Sequence, residues 1–244
     1  MTAAILLDLD DTLYDEASYM RSGFAAVAAA IAGMSGYASS SVLAVLLDVE
    51  RRDGRGHVFD SALAAFGMTA EPEFVQHLVT LYRSHRPRIA LHPGARDLLA
   101  RLRGRGRTAI VTDGLPMMQR RKTEALDLDG AVDAIVYSWE LKAPKPAPES
   151  FLDALARISA SPAESVVVGD NPYHDMVAAH AIGAKSIRVR SGRFANMSAP
   201  PGGEPDLEIA EISALEAALD DLAPPASAPV PAPPAHPQGV AAHA

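Results

Sequence analysis

Residues 3–12 read Ala-Ala-Ile-Leu-Leu-Asp-Leu-Asp-Asp-Thr, an apolar run that ends abruptly in carboxylates. An unbroken apolar run suits a strand covered on both faces, as in a parallel sheet, better than the alternating pattern of a half-exposed one. Four later runs share this character: Thr108–Val111, Ala134–Tyr137, Ser165–Val168 and Ser186–Val189. Helical patterns separate them, at Ala95–Arg103, Met117–Leu126, Pro148–Ile158 and Met176–Ile182. Strand alternating with helix predicts an α/β protein built on a doubly wound parallel sheet.

One interval breaks the rhythm. Between the first and second strands the chain carries only helical patterns, over Ala17–Ala32, Ser40–Arg51, Val58–Phe66 and Pro72–Ser84. Such a stretch predicts a helical domain inserted after the first strand, with Pro87 and Pro93-Gly94 marking the return to the sheet. The expected organisation is a core from residues 1–14 and 91–222, a helical domain over 15–90, and a tail over 223–244. The tail holds seven of the 19 prolines and almost no large apolar residue, so it predicts disorder with polyproline character.

Composition narrows the function classes. With 22 basic against 30 acidic residues the net charge is −8, which argues against a general nucleic-acid binder. No apolar run reaches the roughly 18 residues of a membrane helix, and the N-terminal run is too short for a signal peptide. There is no cysteine, so disulfide and thiolate chemistry are excluded. A cytoplasmic protein is expected.

Open α/β sheets place their sites beyond the carboxyl ends of the strands. The first run ends in Asp8-Leu9-Asp10-Asp11-Thr12; residues two apart on a strand point the same way, about 6.5–7 Å from each other. The second ends in Thr112-Asp113-Gly114, a hydroxyl and backbone amides at a helix entry, where a phosphate oxygen is well received. The fourth ends in Gly169-Asp170, with Asp175 five residues on. Before it comes Lys142-Ala143-Pro144-Lys145-Pro146, a cation on a proline-stiffened loop. Any one of these Asp residues would pass as a cap or turn former. Gathered at one sheet edge they would repel, and a divalent cation with all-oxygen ligands, Mg²⁺ rather than zinc, is the expected neutraliser.

These four segments, in this order, resemble the four motifs of the haloacid dehalogenase-like (HAD) hydrolase superfamily. Asp8 to Thr12 resembles DxDxT, and Thr112-Asp113-Gly114 the second motif. Lys145-Pro146-Ala147-Pro148 with Phe151 resembles KPxPxxF, and Gly169-Asp170 to Asp175 resembles GDxxxxD. The resemblance spans about residues 5–222 and implies a Rossmann-like core, a type 1 helical cap and a subfamily I phosphatase. It implies that Asp8 is the nucleophile that becomes an aspartyl phosphate and that Asp10 is the acid, then the base. It gives Thr112 a phosphoryl oxygen to hold, and Lys145 the task of orienting Asp8. Mg²⁺ would be held by Asp8, the backbone carbonyl of Asp10 and Asp170, with Asp175 in support. Asp10 separates branches: dehalogenases of the superfamily lack this second Asp, since halide leaves without a proton. Asp113 departs from the Asn of many relatives.

Substrate contacts are expected from Thr112, Asp113 and Gly114, and from Tyr14 and Arg21 at the start of the cap. Tyr19 reads better as core packing, and His85-Arg86 lies near the second hinge. Gln119-Arg120-Arg121-Lys122 reads either as a lure for anions or as a solvated helix face. His174 reads as a rim contact, and His57, His77 and His92 as structural. The expected activity is hydrolysis of a small-molecule phosphomonoester, a sugar phosphate or nucleotide. The alternatives are a phosphomutase or phosphotransferase of the same superfamily, and a non-enzymatic phospho-acceptor module of the receiver kind. The receiver pattern places its phosphorylated Asp on a later strand and has no helical insert.

Overall fold

The computed structural model describes residues 4–222. The expected disordered tail and Ala3, the first residue of the expected first strand, lie outside them. Six parallel strands form one sheet in the order β3-β2-β1-β4-β5-β6. They are β1 (Ala4–Leu7), β2 (Arg107–Thr112), β3 (Ala134–Tyr137), β4 (Ser165–Gly169), β5 (Lys185–Val189) and β6 (Leu207–Ile209).

The unbroken apolar runs have a direct cause. Ile5 and Leu7 of β1 face one core layer, while Ala4 and Leu6 face the other. The first layer is closed by α5 (Ala95–Leu102) and α9 (Leu215–Leu222). The second is closed by α7 (Glu149–Arg157) and α8 (Val177–Ile182), through Phe151, Leu155 and Ala178. With helices on both faces, both sides of a strand are mostly apolar. The sheet therefore matches the expected doubly wound architecture. β6 and α9 are additions to the sequence reading. β6 has only three residues, Leu-Glu-Ile, too few to show a pattern.

Between β1 and α5 the chain forms α1 (Glu16–Ser35), α2 (Ser39–Asp53), α3 (Val58–Ala65) and α4 (Pro72–Ser84). Asp15 caps α1 by accepting from the Ala17 N–H at 2.9 Å, and Pro72 opens α4, where a missing N–H costs nothing. These helices bury a third apolar cluster that includes Phe24, Ile31, Val42, Leu46, Leu63 and Leu78. The helical insert thus has a core distinct from both layers of the sheet.

Leu46 is fully buried in that third cluster. Leu46→Ala should cost about 2–5 kcal/mol, the usual range for a large-to-small core change. Urea unfolding followed by circular dichroism checks this; a loss below about 1 kcal/mol would contradict the packing described.

Candidate active site

β1 lies between β2 and β4, and the chain runs outward from it in both directions. That reversal is the switch point at which open α/β sheets form a crevice. Leu7 pairs in register with Ile110 and Val168, and the Asp8 N–H donates to the Val168 carbonyl at 2.8 Å. Asp8 therefore emerges level with the end of β4, where Asp170 follows.

Lys145 arrives on the loop after β3. Its ammonium stands 2.5 Å from Asp8 Oδ1 and 2.7 Å from Asp175 Oδ1, and is buried. Asp8, Asp170 and Asp175 offer oxygens within 4.8 Å of one another, and all three residues are buried. Gly169 makes this possible: a Cβ there would collide with the Asp175 carboxyl. A second glycine has a similar reason, since Gly192 has φ +58° and a Cβ on it would strike Asp11.

The electrostatics follow from three carboxylates facing one ammonium. Burial raises the Asp8 carboxyl well above the carboxylate range; Lys145 opposes this, and Asp175 and Asp10 add to it. Asp170 is raised in the same sense, by burial and then by Asp8 and Asp175. Burial lowers the Lys145 ammonium, but Asp175 and Asp8 outweigh it and raise it overall, so the lysine stays charged. Fully ionised, the four groups would sum to two negative charges in a space with little water. Among the described residues no hydrogen-bond donor reaches the Asp170 carboxylate, although its backbone carbonyl accepts from Arg188 Nε at 3.3 Å. Charge, all-oxygen donors and an unpartnered carboxylate fit Mg²⁺, which Asp8, Asp170 and Asp175 would hold.

Asp10 faces a different environment. Its Oδ1 accepts from Lys122 Nζ at 2.7 Å and from the Tyr14 hydroxyl, and its Oδ2 from Gln119 Nε2 at 2.8 Å. Burial pushes this carboxyl up, but the Lys122 ammonium and the three hydrogen bonds prevail and hold it below the usual range. Gln119 Nε2 also donates to Thr112 Oγ1 at 2.5 Å, linking the end of β2 to Asp10.

Several expected roles change here. Tyr14, expected to contact substrate, is fully buried in the sheet core with its hydroxyl on Asp10. The short Asp11–Leu13 turn folds it back under the strand end. Arg21 is exposed on α1 and does not line the cavity described below. Asp113 borders the crevice, but its carboxylate accepts from the Ser138 hydroxyl and the Lys145 N–H, so it anchors the lysine loop. Thr112 is buried, while Gly114 borders the crevice. The segment Gln119–Lys122, on α6 (Pro116–Ala125), is no solvated face: Gln119 and Lys122 are buried against Asp10, while Arg120 pairs with Glu140 outside. Their spacing of three, one face of a helix, was the available signal. Arg188 was also missed. It is a buried cation in β5 that donates to the carbonyls of Phe194 and Met197 at 2.6 and 2.8 Å and so shapes the loop beside the crevice. An arginine within the apolar run Ile187–Val189 was its only mark.

Asp8, Asp10, Lys145, Asp170 and Asp175 open onto one cavity of about 240 Å³, with His174 at its border. The sequence pattern of the haloacid dehalogenase-like hydrolases matches residues 2–183. The chain belongs to this family. It is 31% identical over 229 residues to the glyceraldehyde 3-phosphate phosphatase of Methanopyrus kandleri, covering 90% of this chain and 97% of that one. It is 32% identical over 159 residues to the phosphoserine phosphatase of Thermus thermophilus, covering 65% and 62%. A HAD phosphatase structure from Thermococcus onnurineus superposes with a TM-score of 0.58 at 23% identity, covering 89% of this chain and 97% of that one. A 2-haloacid dehalogenase from Pseudomonas syringae shares the fold, with a TM-score of 0.61 at 22% identity over 91% of this chain and all of that one. By family and by the phosphatases it resembles in sequence the chain is an enzyme, a phosphoric monoester hydrolase. Among the described residues no helix is long and apolar enough to cross a membrane.

The raised carboxyls carry a stability consequence. Asp8 and Asp170 titrate higher folded than unfolded, so the native state binds more protons and loses stability as pH rises above the ordinary carboxylate range. A divalent cation replaces those protons. Mg²⁺ should therefore raise the Tm of the hydrolase, more at about pH 8 than at about pH 5, and Asp170→Asn should remove most of the increment. Equal shifts at both pH values, or an undiminished shift in the variant, would count against this cation site.

Proposed function

We propose that this hydrolase cleaves a small-molecule phosphate monoester through an aspartyl phosphate on Asp8, with Mg²⁺ as cofactor. In this reading residues 1–14 and 91–222 form the catalytic domain, and 15–90 form a type 1 cap over it. The observation that carries it is the contrast between two carboxylates two residues apart. Asp8 is paired with a buried lysine at the sheet edge, whereas Asp10 is held by a separate set of donors. Two carboxylates in divergent environments are the mark of two distinct roles. The relatives named for phosphatase activity on small esters support the same reading.

The roles follow from placement. Asp8 attacks phosphorus while the bond to the alcohol oxygen breaks, and Asp10 delivers a proton to that oxygen. Water then attacks the phosphoryl group, gives its proton to Asp10, and Asp8 is released. Lys122 keeps Asp10 ionised at rest; a phosphate dianion arriving beside it favours the protonated form and so charges the acid. Lys145 keeps Asp8 oriented and offsets negative charge on the phosphoryl oxygens. Bound Mg²⁺ would supply further charge neutralisation at the same oxygens.

Asp8→Asn keeps the shape and removes the nucleophile. Phosphatase activity should fall by at least about a thousandfold with Tm preserved. Activity within tenfold of wild type would refute the assignment. Release of inorganic phosphate, rather than transfer to a second sugar position, distinguishes hydrolysis from mutase chemistry.

Asp10→Asn tests the proton. Formation of the aspartyl phosphate should slow more for an alkyl phosphate than for p-nitrophenyl phosphate, because nitrophenolate departs without protonation. General acid help is typically worth about 10²–10⁴-fold, well within reach of single-turnover kinetics. Equal losses for both substrates would reject proton donation.

A further inference from the structure

Asp11 follows Asp10 directly, borders the carboxylate crevice and is buried, yet it lies outside the set of three carboxylates that would hold Mg²⁺. Its backbone is left-handed, with φ +55°, a conformation that strains most residues with a side chain and that Asp tolerates better than most. It belongs to the tight Asp11–Leu13 turn, in which the Leu13 N–H donates to the Leu9 carbonyl at 3.0 Å. Beyond that turn the Tyr14 hydroxyl returns to the Asp10 carboxylate. The turn therefore continues directly from the residue proposed to protonate the leaving oxygen.

A turn former needs no partner beyond its own turn, but Asp11 has three, on two elements that border the crevice. Its Oδ1 accepts from the N–H of Glu16, the first residue of α1, at 2.9 Å. Its Oδ2 accepts from the Arg193 N–H at 3.4 Å, and its backbone carbonyl from the Ser191 hydroxyl, both in the loop after β5. Gly192, between these two donors, has no Cβ and so lets the loop come this close. Both anchors are held in turn. Arg55 grips the Glu16 carboxylate through two hydrogen bonds, at 2.9 and 3.1 Å, and Arg188 donates to the Phe194 carbonyl at 2.6 Å. The Asp10 carboxylate is set from α6 by Lys122 and Gln119, whereas the backbone beside it is set by Asp11.

We propose that Asp11 is a positioning residue for Asp10: it clamps the Asp11–Leu13 turn between the start of α1 and the loop after β5, and so fixes where the Asp10 carboxyl meets the leaving oxygen. The inference rests on the phosphomonoesterase reading above and adds a residue to its proton-delivery step. Asp11 itself exchanges no proton and acts only through Asp10.

The test uses Asp11→Gly, which accepts the left-handed backbone and removes the clamp, and Asp11→Asn, which keeps an oxygen for the Glu16 N–H. The probes are phenyl phosphate and p-nitrophenyl phosphate, which differ by one nitro group, but phenolate needs the proton far more than nitrophenolate does. A misplacement of about 1 Å can cost about 10²-fold, so Asp11→Gly should slow aspartyl phosphate formation at least about tenfold more with the phenyl ester than with the nitrophenyl ester in single-turnover kinetics. Asp11→Asn should recover most of that loss. The Glu16 amide should exchange with deuterium faster in Asp11→Gly than in the wild-type enzyme. If Asp11→Gly does not fold, Ser191→Ala, which removes only the hydroxyl on the Asp11 carbonyl, takes its place, and the phenyl ester should again lose more. Losses that are absent, or equal for the two esters, would overturn this inference and leave the phosphatase reading intact. An Asp11→Asn variant no better than Asp11→Gly, or unchanged exchange at Glu16, would overturn it as well. No Asp8-dependent turnover of either ester by the wild-type enzyme would overturn both readings.

Discussion

The site turns on one ion pair set, the ammonium of Lys145 between Asp8 and Asp175, with Asp170 beside them. Burying a carboxylate costs several kcal/mol after relaxation, so three of them with a single cation would be an expensive arrangement for stability alone. The sheet tolerates it because the groups sit at the strand ends rather than within the core layers. The unsatisfied charge is what makes the site useful. The four groups, fully ionised, leave two negative charges uncompensated.

Much of the surrounding chain serves to keep those groups in place. Asp113 ties the Lys145 loop to the end of β2, and Ser138 shares that contact. Gly169 clears space for the Asp175 carboxyl, which in turn accepts from the Asn171 N–H at 3.2 Å. Arg188 spreads its donors over the Asp170, Phe194 and Met197 carbonyls and so fixes the loop that borders the crevice. None of these side chains needs to touch a substrate. In the proposed mechanism their work would be preorganisation, sparing the reacting groups rearrangement when charge develops.

The sheet was legible because burial on both faces writes a continuous apolar run into the sequence, and five such runs became β1 to β5. β6 escaped because three residues hold no period, and α9 because it follows that weak strand. That Asp8, Asp10, Lys145, Asp170 and Asp175 gather at one sheet edge was legible because each sits at a strand end or in a short motif. Tyr14 was misread, since adjacency to the motif says nothing about which way a turn folds a ring. Lys122 and Gln119 were misread for a different reason. A cation among cations on a helix looks solvated until the tertiary fold places a carboxylate opposite it, and Asp10 lies 112 residues away in sequence.

That long-range contact also ties the helical insert to the sheet domain. Lys122 belongs to the sheet domain, yet its ammonium lies over the Tyr19 ring of α1, and Arg121 donates to the carbonyl of Ser84 at the end of α4. The helical insert thus packs onto the same helix that holds Asp10. A shift of the insert would be felt by Lys122 first, and through it by the orientation of the Asp10 carboxylate. Among the described residues the hydrogen-bond partners of Asp8 and Lys145 come from the sheet domain: the carbonyl of Val168 at the end of β4, the carboxylate of Asp113 after β2, and Asp175 in the helical turn that follows β4. In the proposed mechanism this division suits the chemistry: attack by Asp8 needs a fixed geometry, whereas proton delivery by Asp10 should wait until the leaving alcohol is enclosed.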